Sequence, residues 1–403
     1  MTGRTGRTPQ PEAGQWINFR LLPALLLGLL VALGGCASSD SRPDWAGVKK
    51  DAEPAKLFDI KAKARFEVRW HTSIGDLGSD VLQIALTRDA IYCATGDGNL
   101  LRLDRTSGDR VWRVKTGMVI SGGVSSGDGM VFVGSNKGDV LAYGEDGKLR
   151  WKSLVSSEVL NLSKAVDGIV MVRSGDGRIT GLNAADGKRV WMYEHSTPAL
   201  VVRSHGGVAV QRGVAYAGFA AGKLAAIRIS DGEVLWESQV SEPRGNTELE
   251  RISDVTSDPV VDDEQVCAVS FQGRIACFDT AKGNPLWSRD ISSYTGLTVY
   301  SKYIYLSDSS GSVISLDKTN GEVSWKNGDL LYRQLTVPYA LGKFVVVGDL
   351  EGYLHALNSD DGSFAARIQL DGGAIVGTPI GLDDGLLVQT RGGVLYSLTL
   401  KQE

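Results

Sequence analysis

A unit of about forty residues repeats along this sequence and limits the folds that it can adopt. The clearest copy, residues 91–112, reads IYCATGDGNLLRLDRTSGDRVW: two alternating apolar runs around a Gly-containing turn, then a second turn and a run ending in tryptophan. Alternation with period two is typical of half-buried strands, and glycine supplies the positive φ of a tight hairpin. Further copies end at Trp151, Trp191, Trp236, Trp287 and Trp325.

The repeat predicts an all-β fold, an eight-bladed β-propeller of four-stranded antiparallel blades over residues 65–403. A seventh copy has Ala366 in the place of the tryptophan, and an eighth stops before its last strand. We expect the N-terminal strand, residues 67–72, to join the C-terminal blade and close the ring, since an incomplete blade would expose unpaired backbone groups. The three strands predicted for that blade from the C-terminal sequence are 374–381, 385–390 and 393–398.

The regular spacing of the tryptophans favours a structural role for them. We expect each ring to pack between its own blade and the next, where it buries a large apolar area. Stacking on a cofactor is the alternative, but it does not explain a tryptophan in nearly every repeat.

The first 35 residues have the features of a lipoprotein signal peptide. Three arginines precede an apolar run, 21–33, that is too short for a typical membrane span. The run leads into Leu-Gly-Gly-Cys, so Cys36 is predicted to be the lipidated residue. An ordinary signal sequence with an unrelated cysteine is the alternative. The polar composition of residues 36–64 predicts a flexible tether.

Composition and charge disfavour several classes of protein. The net charge of −4 and a pI of about 5.7, without a basic stripe, argue against nucleic-acid binding. The sequence has no CxxC motif, and its four histidines are scattered over different repeats. We therefore expect no metal site and no cofactor.

Two cysteines, Cys267 and Cys277, fall on the two strands of one predicted hairpin. If the turn is symmetric about Gln272, the two side chains face each other. We favour two small buried apolar residues over a cross-strand disulfide, which is the alternative. Cys93 has no nearby partner in the sequence and is expected to pack inside blade one.

Two connectors are longer than the others, residues 194–206 and 240–258. Both link the outer strand of one blade to the inner strand of the next, so both are predicted on the same face and at neighbouring positions. Long loops on a rigid scaffold are common binding sites. As the alternative, Leu200 and Val202 belong to the inner strand of blade four, and residues 248–252 form a charged helical turn.

The combined features resemble the BamB family of outer-membrane protein assembly factor lipoproteins. The most specific stretches are RGNTELERISDV (244–255), DLLYRQLTVP (329–338) and GDLEGYLHALNSDDGSF (348–364), and the missing tryptophan at Ala366 also matches the family. The resemblance implies a non-enzymatic scaffold, lipid-anchored to the outer membrane and facing the periplasm. It also implies binding to BamA through the POTRA domains, association with other assembly-machinery lipoproteins, and assistance to the folding and insertion of outer-membrane proteins, which are possible direct clients.

The resemblance also implies a set of partner-binding residues. The family's positions fall on Leu200, Val202, Arg203 and Asp254, all in the two long connectors. The family commonly has leucine at position 202 and a second acidic residue where this chain has Thr256, so the contribution of these two positions is open. We expect Arg203 and Asp254 to be exposed and to set orientation, with apolar neighbours supplying a desolvated centre.

Two other functions remain as alternatives. The repeats are of the kind found in pyrroloquinoline-quinone (PQQ) dehydrogenases, but those enzymes need a Ca²⁺ site, a catalytic Asp and usually adjacent cysteines. This sequence has no adjacent cysteines, and turn chemistry explains its Asp-Gly pairs. No catalytic residue is predicted. An outer-membrane lipoprotein scaffold for another partner is the second alternative.

Overall fold

The computed structural model describes residues 52–78 and 81–402. Within them the chain forms thirty-two strands and a short 3-10 turn, Ala220–Gly222, without an α-helix. The strands make eight sheets of four, and in each sheet the paired strands are antiparallel. The predicted eight-bladed propeller is therefore confirmed.

Blades one to four follow the chain without interruption, each running from its inner to its outer strand. Their strands are β2 (Ala85–Leu86), β3 (Ala90–Ala94), β4 (Asn99–Asp104) and β5 (Arg110–Lys115) in blade one; β6 (Ile120–Gly127), β7 (Met130–Ser135), β8 (Asp139–Gly144) and β9 (Leu149–Leu154) in blade two; β10 (Val159–Leu162), β11 (Ile169–Ser174), β12 (Arg178–Asn183) and β13 (Arg189–Glu194) in blade three; and β14 (Val208–Gln211), β15 (Val214–Gly218), β16 (Lys223–Arg228) and β17 (Val234–Gln239) in blade four.

Blades five to seven continue the pattern, and blade eight takes its outer strand from the N-terminal part of the chain. Their strands are β18 (Val260–Val261), β19 (Gln265–Val269), β20 (Ile275–Asp279) and β21 (Pro285–Arg289) in blade five; β22 (Leu297–Tyr300), β23 (Tyr303–Ser307), β24 (Val313–Asp317) and β25 (Val323–Asn327) in blade six; β26 (Tyr339–Leu341), β27 (Phe344–Gly348), β28 (Tyr353–Asn358) and β29 (Phe364–Gln369) in blade seven; and β30 (Ile375–Leu382), β31 (Gly385–Thr390), β32 (Val394–Gln402) and β1 (Ala64–Ser73) in blade eight. Strand β1 pairs with β32, which confirms the predicted closure.

The hydrophobic core is divided among the gaps between neighbouring blades. Tyr92 of blade one shares a cluster with Val131 of blade two, and equivalent clusters follow around the disc. The last cluster brings Leu395 of blade eight against Cys93 of blade one, so the ring is closed by packing as well as by β1. Because both faces of a blade meet a neighbour, β3 and β11 are buried on both sides.

The tryptophans of the repeats pack on glycine turns of the following blade. The ring of Trp191 lies so close to Gly232 that a Cβ there would come within 2.7 Å of it, and its Nε1 donates to the carbonyl oxygen of Ile229 at 2.7 Å. The expected packing between blades is confirmed. The corresponding pairs are Trp70–Gly108, Trp112–Gly147, Trp151–Gly187, Trp236–Gly283, Trp287–Gly321 and Trp325–Gly362.

The exception at Ala366 follows from the way the ring closes. In the other blades the tryptophan covers the turn between the third and fourth strands of the next blade. Blade eight has no such turn, because its fourth strand is β1 and not a continuation of β32. Ala366 instead packs in one cluster with Ala64 and Phe66, where the N-terminal segment enters blade eight.

The cysteines of blade five form a disulfide. Cys267 and Cys277 are directly paired in β19 and β20, with Cα atoms 4.1 Å apart. Both are buried as expected, but the preference for two unbonded residues is wrong. Cys93 is buried in blade one, and burial raises the pKa of its thiol to about 12.

Residues 1–51, which contain the predicted signal peptide and Cys36, lie outside the described residues. Residues 52–63, which composition assigns to the tether, lie against blade seven. The amide nitrogen of Ala55 donates to Leu331 O at 2.9 Å, and that of Lys63 donates to Ala365 O at 2.8 Å. In the part of the chain that the structure describes, no helix has the length and apolar character needed to cross a membrane.

Candidate partner-binding surface

Two long connectors occupy neighbouring positions on one face of the disc. Residues 195–207 link β13 to β14, and residues 240–259 link β17 to β18. Successive turns of an antiparallel blade alternate between its two faces. The connectors therefore share a face with the turns 219–222 and 270–274, which lie between the second and third strands of blades four and five. We call this the connector face and the opposite one the hairpin face.

Asp254 fixes the second connector to the first. Its side chain is only 4% exposed, and its carboxylate accepts hydrogen bonds from the backbone nitrogens of Val202 at 2.7 Å and Ala221 at 2.9 Å. Its own carbonyl oxygen accepts from the nitrogen of Phe271 at 2.8 Å. The expectation that Asp254 is exposed is wrong, because its charge is used to hold the loop backbone in place.

Arg203 is half-exposed and follows Val202, whose backbone nitrogen donates to Asp254. Its guanidinium donates to both carboxylate oxygens of Glu158, at 2.8 and 3.3 Å, and its Nη1 lies 3.3 Å from Nε2 of His205. The other ring nitrogen of His205 contacts Leu160 O at 3.0 Å. A bidentate pair of this kind orients the planar guanidinium. The Arg203 guanidinium is therefore held in a fixed orientation on the connector face.

Apolar side chains of the first connector point into solvent. Leu200 is 43% exposed, Val201 has a similar exposure, and Val202 is half-buried. The inner strand of blade four is β14, which begins only at Val208. The alternative that assigned Leu200 and Val202 to that strand is therefore wrong, and both belong to the loop.

The second connector carries a short capped turn with another exposed leucine. Thr247 Oγ1 accepts from the nitrogen of Glu250 at 3.2 Å, while Glu250 Oε2 accepts from the nitrogens of Asn246 at 2.7 Å and Thr247 at 3.1 Å. This is the reciprocal pattern of a capping box. Arg251 N donates to Thr247 O at 3.2 Å, so the alternative of a charged helical turn is confirmed. Leu249, on this turn, is 46% exposed.

A buried arginine lies near the hydrogen bonds that join Asp254 to Val202 and Ala221. The side chain of Arg173 is almost fully buried, and its guanidinium carbon is 5.2 Å from the centre of the Phe219 ring. Burial lowers the pKa of Arg173 to about 10, although the charges of Asp258 and Asp254 act to raise it. Arg173 therefore remains protonated at neutral pH, and the nearby carboxylates of Asp258 and Asp254 offset its charge.

Sequence reasoning missed the residues that position the site from other blades. Glu158 lies just before β10, Ala221 in the turn between β15 and β16, and Phe271 in the turn between β19 and β20, so each comes from a different loop than the connector residue it contacts. The signal that could have found Ala221 is its Phe-Ala-Ala-Gly turn in place of the usual polar turn. Thr256 is buried and donates to Tyr294 O at 3.0 Å, so in this chain that position is structural.

The fold is shared with quinone-dependent enzymes. The quinohemoprotein alcohol dehydrogenase from Comamonas testosteroni is 11% identical with a TM-score of 0.68, over 83% of this chain and 76% of that one. A likeness at this identity shows the fold alone. Over residues 52–78 and 81–402, no group of three or more His, Cys, Asp or Glu side chains is placed to hold a metal ion.

Sequence comparisons identify a family. A family model described as outer membrane protein assembly factor BamB matches residues 96–327. Curated proteins of that name include one from Nitrosomonas eutropha, 40% identical over 391 residues (95% of this chain, 96% of the relative), and one from Pseudomonas aeruginosa, 36% identical over 382 residues (94% and 98%). The crystal structure of BamB from Moraxella catarrhalis is 26% identical with a TM-score of 0.77, over 83% of this chain and 99% of that one. The chain therefore belongs to the BamB family of outer membrane protein assembly factors.

Proposed function

We propose that this chain is a non-enzymatic scaffold of the outer-membrane β-barrel assembly machinery that binds the periplasmic POTRA domains of BamA through its connector face. The proposal rests on family membership and on one observation: Asp254 ties the two long connectors together through the Val202 amide. Three of the four positions implied by the resemblance, Leu200, Val202 and Arg203, are thereby held on one preformed surface.

Each part of this surface has a physical role in the proposed interface. Leu200 and Leu249 supply apolar area that a partner can desolvate, and such centres provide most of the binding energy. Arg203 supplies a directed charge that sets orientation and excludes wrong partners. Asp254 acts indirectly, because a loop that is already ordered loses less conformational entropy on binding.

The proposal extends to the N-terminal sequence and to location. Residues 1–35 are a signal peptide that is removed, and Cys36 is lipidated, so that the propeller is anchored to the outer membrane and faces the periplasm. Stable anchoring by lipid needs more than one acyl chain, which lipidation of an N-terminal cysteine supplies. The family name of the curated relatives supports the outer-membrane location.

Reversing the charge of Arg203 (Arg203→Glu) is expected to reduce recovery of BamA about tenfold or more, since it removes an orienting cation and places a carboxylate beside Glu158. The pair is half-exposed, so the free energy of unfolding should change by no more than about 1 kcal/mol. The measurement is co-purification of BamA with the tagged chain from detergent-solubilised membranes, together with a thermal unfolding curve.

Arg212→Glu is the matched control. Arg212 is also exposed and paired with a carboxylate, that of Asp263 at 2.7 Å, but it lies in the turn between β14 and β15 on the hairpin face. We expect this variant to recover BamA like the wild type. Equal recovery with Arg203→Glu and Arg212→Glu would refute the assigned surface, and failure to recover BamA with the wild type would favour a scaffold for another partner.

A further inference from the structure

Residues 52–63, here named the strap, contact blade seven and the connector that precedes it at several points. Two main-chain hydrogen bonds fix the ends, from Ala55 N to Leu331 O and from Lys63 N to Ala365 O. Between them, Leu57 packs against the hydrophobic cluster of blades six and seven. A segment held by backbone bonds at both ends and by an apolar side chain in the middle is docked and does not behave as a linker.

Two arginines of blade seven bind the strap through its carbonyl groups. Arg333 Nη1 donates to Ala55 O at 2.8 Å, and Arg367 Nη1 donates to Phe58 O at 2.7 Å. The Phe58 ring meets Phe364 edge-on at 5.7 Å between centroids, and the guanidinium of Arg367 lies 5.9 Å from the Phe58 ring centre. Because both donors bind main-chain oxygens, they fix the path of the chain.

These arginines are themselves held rigidly by a buried polar cluster. Arg333 is 2% exposed, and its Nε donates to Asp349 at 2.6 Å while Nη2 pairs with Glu351. His355 Nε2 donates to the same Asp349 oxygen at 3.0 Å and its Nδ1 accepts from Arg367 Nε at 3.1 Å. In blade six the equivalent turn residue, Asp308, pairs with the exposed Lys326, whereas in blade seven Asp349 pairs with the buried Arg333 and His355.

The strap crosses the disc from one face to the other. Leu331 lies in the connector between β25 and β26, on the connector face, whereas Ala365 lies at the start of β29, next to the turn that precedes it on the hairpin face. Without the docked strap, the N-terminal chain would leave the propeller at Ala64 on the hairpin face. With it, the chain leaves near Ala55 on the connector face.

We propose that the strap turns the connector face towards the anchored end of the chain. The inference rests on the proposed function, because it places the start of the lipidated tether on the same face as the Arg203 surface. The strap then leaves the disc on the face that carries the proposed partner surface, which favours presentation of that face to a partner in the same membrane. Blade seven therefore contains a binding site for the strap.

Amide hydrogen exchange on the full chain tests the docking. The Ala55 and Lys63 amides are expected to be protected in the wild type, and Leu57→Ser with Phe58→Ser should speed their exchange by about tenfold or more while amides in β27 and β28 are unchanged. Leu154→Ser, which replaces an exposed leucine of blade two, is the control and should leave both amides protected. Wild-type Ala55 and Lys63 amides exchanging at the rate of an unstructured peptide would overturn the proposal.

Capture of BamA tests the consequence. In membranes, the Leu57→Ser/Phe58→Ser chain should recover several-fold less BamA than the wild type. When Cys36→Ser is added to both chains and detergent extracts are compared, the two should recover equal amounts, because the partner surface itself is intact. Equal recovery in membranes despite a released strap overturns the orienting role. If BamA is recovered neither by the wild type in membranes nor by its Cys36→Ser form in detergent extracts, the proposed function fails. The exchange experiment still decides whether the strap is docked.

Discussion

Replacing Asp349 by alanine is expected to lower the free energy of unfolding by about 3–5 kcal/mol, the usual cost of removing one partner from a buried ionic cluster. The Asp349 side chain is fully buried and accepts from Arg333, from His355 and from the backbone nitrogens of Glu351 at 2.9 Å and Tyr353 at 3.0 Å. The substitution leaves the Arg333 charge buried with Glu351 as its remaining acidic partner. Equilibrium unfolding in urea measures the loss.

The pKa directions in this cluster agree with a charged Asp349 beside a neutral His355. Burial alone would raise the pKa of Asp349, but the hydrogen bonds from His355, Tyr353 and Arg333 outweigh it and lower the pKa. Burial lowers the pKa of His355 below its usual 6.5, although Asp349 acts to raise it. A neutral His355 can then donate from Nε2 and accept at Nδ1, as its two contacts require.

Asp308→Ala is the matched control for the buried cluster. Asp308 occupies the same turn in blade six and accepts from the backbone nitrogens of Ser310 and Ser312, but its ion-pair partner is the exposed Lys326. It should cost only about 1–2 kcal/mol, the value of the turn hydrogen bonds. If the two alanine variants lose the same stability, the buried charges contribute nothing and the account of blade seven is wrong.

The second large effect concerns the tryptophans between blades. Trp191→Ala should cost about 3–5 kcal/mol, because it empties the space over Gly232 and leaves the carbonyl of Ile229 without its donor. Trp191→Phe, which keeps most of the apolar contact, should cost markedly less. The measurement is the same urea titration, and the free energy of unfolding is compared among the three proteins.

The reverse substitution in blade seven should also destabilise. Ala366→Trp introduces the residue that the other repeats favour, but at Ala366 there is no turn of blade eight to cover, and Ala64 and Phe66 already fill the space. Overpacking of this kind costs about 1–3 kcal/mol. A higher melting temperature for Ala366→Trp would contradict the explanation given for the missing tryptophan.

The repeat predicted nearly all of the fold because its information is local. Alternating apolar runs, Gly turns and a tryptophan near every fortieth residue define a blade, and the incomplete eighth copy indicates that residues 67–72 close the ring. The oxidation of Cys267 and Cys277 could not be decided in this way, since a hairpin register brings two buried cysteines together whether or not they bond.

The site was only partly predictable because its contacts join loops that are far apart in the sequence. Asp254 stands in a charged connector and looks exposed in the sequence, but its partner amides, Val202 and Ala221, come from a different connector and a different turn. The strap was missed for a related reason. Its composition is that of a linker, and only the adjacent pair Leu57 and Phe58 indicated a segment that packs against a neighbour.

Amide hydrogen exchange of this chain, measured with and without its proposed partner, tests directly whether the connector face binds BamA. Amide hydrogen exchange of the mature chain would be followed with and without saturating amounts of the isolated POTRA domains of BamA. We expect added protection in residues 199–205 and 246–253, with the turns of the hairpin face unchanged. Protection confined to the hairpin face or to the outer strands, or none at saturation, would contradict the claim that this face of blades three to five binds BamA.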